Sequence, residues 1–400
     1  MEYGGSPALD PPSPEDEVDI IAALKQSDRV SSISLTVTRS LLEKSSAIER
    51  PFSELEDLVL LSRNRRGLTL PSAFQCGTRL RSLRLTRIAL SSLPQLLYSS
   101  RKLVDLQLHE VLNPLSISPA VLTKAFSGMA QLRSLSLHFL PTTIHIGASL
   151  PSTLGKRVVL PALARLSFRG ISDYLEDLVA EIDAPRLGDI DVTFFNESVS
   201  GFSNLREFID RTGMPKSHRR VDILSSESAI SISLIQPGAT ACLKLQLYCK
   251  PLTLQLYKMA QMCSQFSTSL LSVEDLRINV TRLSMGQPGN NSKRWQGLIL
   301  HFGGTKYIYV AGPQDYSTTI MRALQLSERR ETLLPTLHKL RIQEPGTRYA
   351  PLRQAAVSLM ASRRLSGRLI VEYERLWINN PGGKGSTYAQ CQQHSLTCFD

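Results

Sequence analysis

No run in the 400-residue chain approaches the roughly 18 consecutive apolar residues that a membrane-spanning helix requires. Its opening, MEYGGSPALDPPSPEDE, is acidic and proline-rich where a secretory signal would be basic and then apolar. The expected compartment is therefore the cytoplasm or the nucleus, with no membrane partner. Cysteine is sparse. Cys76, Cys242, Cys249, Cys263, Cys391 and Cys398 form no C-x-x-C pair and no dense framework, a usage that fits reduced, mostly buried thiols. Signatures of catalysis and metal binding are missing too: there is no HE-x-x-H and no G-x-S-x-G, and the histidines show no ligand spacing. The short C-x2-H-x3-C through Cys391, His394 and Cys398 lacks a fourth ligand. NPGGKGST (380–387) places Gly385 where a phosphate loop needs Ser or Thr. No enzyme activity, metal or cofactor is expected.

What is present is a globular composition: 42% hydrophobic residues, with charged residues at 20%, too few for a disordered chain. The net charge of +11 is unevenly spread. Residues 1–24 hold Glu2, Asp10, Glu15, Asp16, Glu17 and Asp19 and no Lys or Arg. The rest carries 46 basic against 29 acidic side chains, a balance of +17. Such a body favours an acidic partner surface. Its basic residues nevertheless come in short scattered runs, such as Arg63-Asn-Arg65-Arg66 and Arg219-Arg220, which fit a solvated face better than a nucleic-acid footprint.

The first half repeats one hexamer, apolar at its first, fourth and sixth positions: VSSISL from Val30, LEDLVL from Leu55, LRSLRL from Leu80, LVDLQL from Leu103, LRSLSL from Leu132, LARLSF from Leu163 and LGDIDV from Leu187. The starts are 25, 25, 23, 29, 31 and 24 residues apart, a repeat signature. In a strand, residues two apart share a face, so the fourth and sixth point inward while the third, fifth and seventh face solvent. A strand this short cannot bury its apolar face alone, but stacked copies can, each chain returning through a helix or turn. The first apolar residue would seal the seam between strand and return segment.

The intervening sequences suit that role. ISDYLEDLVAEI (171–182) has an apolar stripe at helical period, with Ser172 available as a cap. Ser118-Pro119 and Ser13-Pro14 each put a cap residue before a proline at the first helical position. Beyond residue 211 the repeat degenerates. VEDLRI from Val273, KYIYV (306–310), LHKLRI from Leu337 and RLIVEY (368–373) read as strands, LRQAAVSLMASRRL (352–365) as a helix, and AISISL with CLKLQL as a hairpin. MGQPGNNSKR (285–294) reads as a surface loop. The expected organisation is a flexible acidic, Pro-rich N-terminus (1–12), a repeat region (13–373; regular over 30–210, degenerate over 211–373) and a disordered tail (374–400).

These hexamers resemble leucine-rich repeats over roughly residues 18–373. More narrowly, LPALARLSFRGISDYLEDLVAEIDAPRLGDIDVTFF resembles the repeat region of fungal F-box proteins of the leucine-rich-repeat kind. The resemblance implies an α/β solenoid, its parallel sheet concave and its helices or turns convex. It also implies that an N-terminal F-box docks on the adaptor of a cullin-type ubiquitin ligase while the repeats hold the substrate. Two departures stand out. The ninth positions, where the family has Asn or Cys, are Thr38, Arg63, Ile88, Val111, Leu140, Ile171 and Phe195, so the solenoid should be irregular. No F-box precedes the first repeat, so ligase docking is not expected and the chain reads as a truncated or F-box-less relative.

The candidate protein-binding surface is the solvent face of the strands: Asp57; Ser82 and Arg84; Asp105, Gln107 and His109; Ser134, Ser136 and His138; Arg165, Ser167 and Arg169; Asp189 and Asp191. This mixture of small polar, acidic and basic residues suits protein recognition, and no aromatic stands among them to stack on bases. The expected function is a non-catalytic protein-interaction scaffold. The alternative is a nucleic-acid-associated basic protein.

Overall fold

A computed structural model describes residues 12–48, 50–64, 68–75, 78–89, 93–111, 117–141, 157–195, 201–215, 217–236, 241–249, 252–281, 291–325, 333–344, 350–362, 369–375 and 393–396. The chain divides into two compact units, Met1–Val192 with Ser203–Met214, and Thr193–Phe202 with Pro215–Asp400.

In the first unit every hexamer becomes a strand that begins at its third residue. The strands are β1 (Ser32–Val37), β2 (Asp57–Ser62), β3 (Ser82–Thr86), β4 (Asp105–Val111), β5 (Ser134–Phe139), β6 (Arg165–Gly170) and β7 (Asp189–Phe194), the last two residues of β7 belonging to the second unit. They lie side by side in chain order. From β1 to β6 the pairing is parallel and equivalent hexamer positions are partners: Ser32, Asp57, Ser82, Asp105, Ser134 and Arg165 stand in one row.

The hexamer's first two residues set that register. The carbonyl of Ser31, a second position, accepts from the N–H groups of Glu56 and Asp57 at 2.7 and 3.1 Å. The same double acceptance recurs at the Glu56, Arg81, Val104, Arg133 and Ala164 carbonyls. The N–H groups of Leu103, Leu132, Leu163 and Leu187, all first positions, donate to the carbonyl three residues back and so close the turn into the strand. Their side chains are fully buried, as are Leu58, Leu60, Leu83, Leu85, Leu106 and Leu108 at the fourth and sixth positions. Burying each such leucine is worth about 1.5–3 kcal/mol, which is why the pattern is kept so strictly here.

Between the strands run α1 (Pro14–Leu24), α2 (Arg39–Ser45), α3 (Leu93–Ser99), α4 (Pro119–Phe126), α5 (Ser172–Ala180) and α6 (Ser203–Arg211). From α3 to α6 each helix contacts the next. Ser13 caps α1 in a reciprocal box with Asp16, and Ser118 caps α4, each ahead of a proline. The expected capping role of Ser172 is corrected. Ile171 holds the cap position without a side-chain bond, and Ser172 is buried in the first turn. In place of an Asn ladder, the ninth positions act individually. Thr38 caps α2, accepting from the Leu41 N–H at 3.0 Å, and Ile88 enters a two-residue strand paired with Leu68–Thr69.

The second unit contains β8 (Arg220–Ser225), β9 (Ala229–Ile235), β10 (Ala241–Tyr248), β11 (Asp275–Val280), β12 (Tyr307–Ala311), β13 (Lys339–Glu344), β14 (Ile370–Arg375) and β15 (Gln393–Leu396). The AISISL–CLKLQL hairpin is present as β9 and β10, and β8 extends it into an antiparallel meander. From β8 the sheet continues parallel through β11, β12, β13 and β14. The hexamer that opens β8, HRRVDI from His218, departs from the repeat because buried His218 occupies its first position in place of an apolar residue. The double-acceptor device persists at the Arg219, Glu274 and Lys306 carbonyls. Helices α7 (Leu252–Gln265), α8 (Ser292–Ile299), α9 (Gln314–Gln325) and α10 (Ala350–Ser362) alternate with these strands. The loop expected over 285–294 ends earlier, since Ser292–Arg294 open α8; residues 285–290 lie outside the described residues. Within the tail expected to be disordered, 374–375 finish β14 and 393–396 form β15, antiparallel to it. The N-terminal residues 1–11, the remaining tail and with it NPGGKGST lie outside the described residues. Both units are mixed α/β with mostly parallel strands.

Candidate functional site

All the surface residues expected from the hexamers lie on β2 to β7 in the first unit. The third row reads Asp57, Ser82, Asp105, Ser134, Arg165 from β2 to β6, and the fifth row pairs Arg84, Gln107, Ser136 and Ser167 from β3 to β6. Asp189 and Asp191 continue these rows on β7. Where the side chains are small, the surface sinks into a cleft of about 340 Å³. Ser134, Ser136 and Ser167 form its floor with Leu135 and Leu166. Asp105, Gln107 and His109 line it from β4, Arg165 from β6, and Asp189 and Asp191 from β7. Asp57, Ser82, Arg84, His138 and Arg169 are not among the residues that line it.

Two placements differ from a simple alternation. Ser136 is only 8% exposed, and Thr193, expected at a solvent-facing seventh position, is buried as well. The cause for Ser136 is the histidines. Pairing of β4 with β5 shifts register between Leu108 and Val111, with Glu110 in the left-handed region at φ 53°. His109 and His138 occupy equivalent seventh positions on the neighbouring strands β4 and β5, and their rings stack with centroids 4.4 Å apart and planes 7° from parallel. His109 Nε2 lies 2.9 Å from Ser136 Oγ, which is 3.2 Å from His138 Nε2, and that nitrogen is 2.9 Å from Ser167 Oγ. A hydroxyl both donates and accepts, so the serines can satisfy two neutral rings.

Electrostatics keep the rings neutral. Burial and then Arg84 lower the His109 pKa. Burial, then His109 and Arg169, push His138 down to about 4. On the opposite wall, burial and the neighbouring Asp191 raise the Asp189 carboxyl above its ordinary value. Gln107 donates to Asp105 Oδ2 at 2.7 Å, while the buried Asp105 Oδ1 has no hydrogen-bond partner among the described residues. Ser136 and His109 stand at nucleophile–base distance. However, β5 is paired on both sides, which commits its amides to the sheet rather than to an oxyanion. Among the described residues no group of three His, Cys, Asp or Glu side chains is placed to hold a metal, and no helix is long and apolar enough to cross a membrane.

Sequence reasoning missed the corresponding face of the second unit. Tyr307, at a third position, is 46% exposed, and Tyr309 follows at the fifth with Arg277 over its ring at 6.0 Å. Lys339 and Arg341 are their partners on β13, both ion-paired with Glu372. The signal, YIY read as alternating outward and inward residues, was legible once KYIYV was taken as a strand.

Fold and cleft together define the class: a mixed α/β protein of mostly parallel strands joined through helices, carrying a polar cleft on the sheet of its first unit. No family model matches the chain, and no curated protein matches it in sequence.

Proposed function

We propose that the chain is a non-catalytic protein-recognition scaffold of the leucine-rich-repeat kind, a curved solenoid similar to the repeat region of fungal F-box proteins, acting in the cytoplasm or nucleus. One observation carries the reading. Nine polar side chains from four adjacent strands converge on one open cleft on the sheet of the first unit. Solenoids present such surfaces to partner proteins, and polar pockets with a few charged groups confer specificity rather than turnover. By the F-box resemblance the bound protein would be a ligase substrate.

The test is affinity capture with the intact chain, in parallel with a Ser134→Arg/Ser167→Arg variant that fills the cleft and a Lys124→Glu control on α4. A partner retained by the wild type and the control but lost by the cleft variant supports the reading. Equal capture by all three counts against it.

Tyr307 and Tyr309, set between Arg277 and the Lys339–Arg341 pair, favour a second reading. They could act as a stacking platform for single-stranded nucleic acid on the second unit. The acids already paired with these cations make the site close to neutral, which ranks it lower. Titration of a single-stranded RNA 20-mer decides: affinity falling steeply with salt, and lost in Tyr307→Ala, would promote it.

A further inference from the structure

We infer that the cleft over β4–β7 receives a lysine or arginine side chain from an extended segment of a protein partner; this rests on the recognition reading above and names its chemistry. The floor is made of small hydroxyls, which leave room and offer acceptors without adding charge. Neighbouring strands are about 4.8 Å apart, so β4 and β7 bracket a slot roughly 14 Å across. Asp105 stands on one side of it and Asp189 with Asp191 on the other, against Arg165 as the one cation that lines it among the described residues.

Two further observations point the same way. Burial first, and then the neighbouring Asp191, hold protons on Asp189 more tightly than usual against the pull of Arg165, so an incoming cation is favoured beside that carboxyl. Asp105 Oδ1 is already withdrawn from water without a hydrogen-bond donor among the described residues, so a donor from a partner would complete it. His109 and His138, neutral at physiological pH, do not oppose a positive charge. A nucleic acid or an anionic lipid surface would meet the three carboxylates at short range and be repelled, which leaves a cationic protein segment as the complementary occupant.

The experiment selects binders to the intact chain from a displayed library of random linear peptides. The selected peptides should share a Lys or Arg at one position, and replacing that residue by Gln should weaken binding by about tenfold or more. An Asp189→Asn/Asp191→Asn variant with an unchanged thermal midpoint should show the same loss, whereas Asp210→Asn, an exposed acid on α6, should not. Selected peptides without a common basic position overturn the inference while leaving protein recognition intact. So does free spermidine that displaces the peptide at equal affinity, since it assigns the cleft to small cations. If no peptide is enriched, the inference falls. Only if the affinity capture described above also fails does the recognition reading fall with it.

Discussion

His138 is the residue whose chemistry departs furthest from its ordinary behaviour on the sheet surface. Its folded pKa of about 4 lies below the ordinary histidine value, so between pH 6.5 and 4 the unfolded chain binds the proton more readily. The stability associated with the neutral ring is complete above pH 6.5 and is lost as pH falls toward 4, about 3 kcal/mol in all. His109 shifts in the same direction and adds to the slope. Urea midpoints measured from pH 7.5 to 4.5 should fall steadily for the wild type and less steeply for His138→Gln. A flat wild-type profile would show the rings to be solvated. Glu17 has the opposite character. It accepts from Thr38 at 2.6 Å, Ser40 at 2.8 Å and Lys44 at 2.7 Å, and its pKa drops to about 2, first through Lys44. That carboxylate ties α1 to α2 and stays charged through the range in which the histidines titrate. The buried thiols give a simpler expectation. Burial raises the Cys263 pKa, so alkylation by iodoacetamide, mapped by mass spectrometry, should reach Cys263 only after denaturant is added.

At the scale of the element, packing around Gly170 is the tightest constraint on β6. A Cβ there would lie 2.9 Å from both the Phe139 and Phe168 rings, which also pack with Tyr174 of α5. Gly170→Ala should destabilise the first unit by about 1–3 kcal/mol in chemical denaturation, the usual cost of overpacking. His218 makes the reverse case. It fills the place of a leucine at the head of the β8 hexamer, buried and with its pKa lowered by burial. His218→Leu should change stability by less than about 1.5 kcal/mol at pH 7.5. Because only the histidine must give up a proton to stay buried, the leucine variant should gain on the wild type as pH falls to 5. A variant that loses ground at pH 5 would show that the contact of His218 Nδ1 with the buried Cys242 Sγ, 3.5 Å away, outweighs the cost of keeping the ring neutral. The element scale also shows where reading the sequence stopped short. Strands β1 to β7 were legible because their hexamers keep an apolar residue at the first, fourth and sixth places. The strand at 220–225 was not, because one polar residue broke the pattern while its backbone hydrogen bonds stayed the same.

For the whole molecule, stacking makes the position of a strand in its row matter as much as its sequence. Leu35 of the terminal strand β1 is half-buried, whereas Leu108, at the same hexamer position within the row, is 1% exposed. Leu108→Ala should cost about 2–5 kcal/mol and Leu35→Ala clearly less, since a repeat with a neighbour on one side has less to lose. Equal losses in thermal or urea melts would argue against stacked-repeat energetics. The sequence by itself determined the strands of the first unit, their register and which residues share the solvent face, because a two-residue alternation and a recurring hexamer are local properties. Of the fourteen residues it put on that face, nine line the cleft, and Asp57, Ser82, Arg84, His138 and Arg169 do not. Only the tertiary structure decided that three serines would line it, that the His109 and His138 rings would stack, and that Ser136 would be buried with hydrogen bonds to both. Those outcomes depend on the relative size and hydrogen bonding of side chains on neighbouring strands, which no single repeat determines.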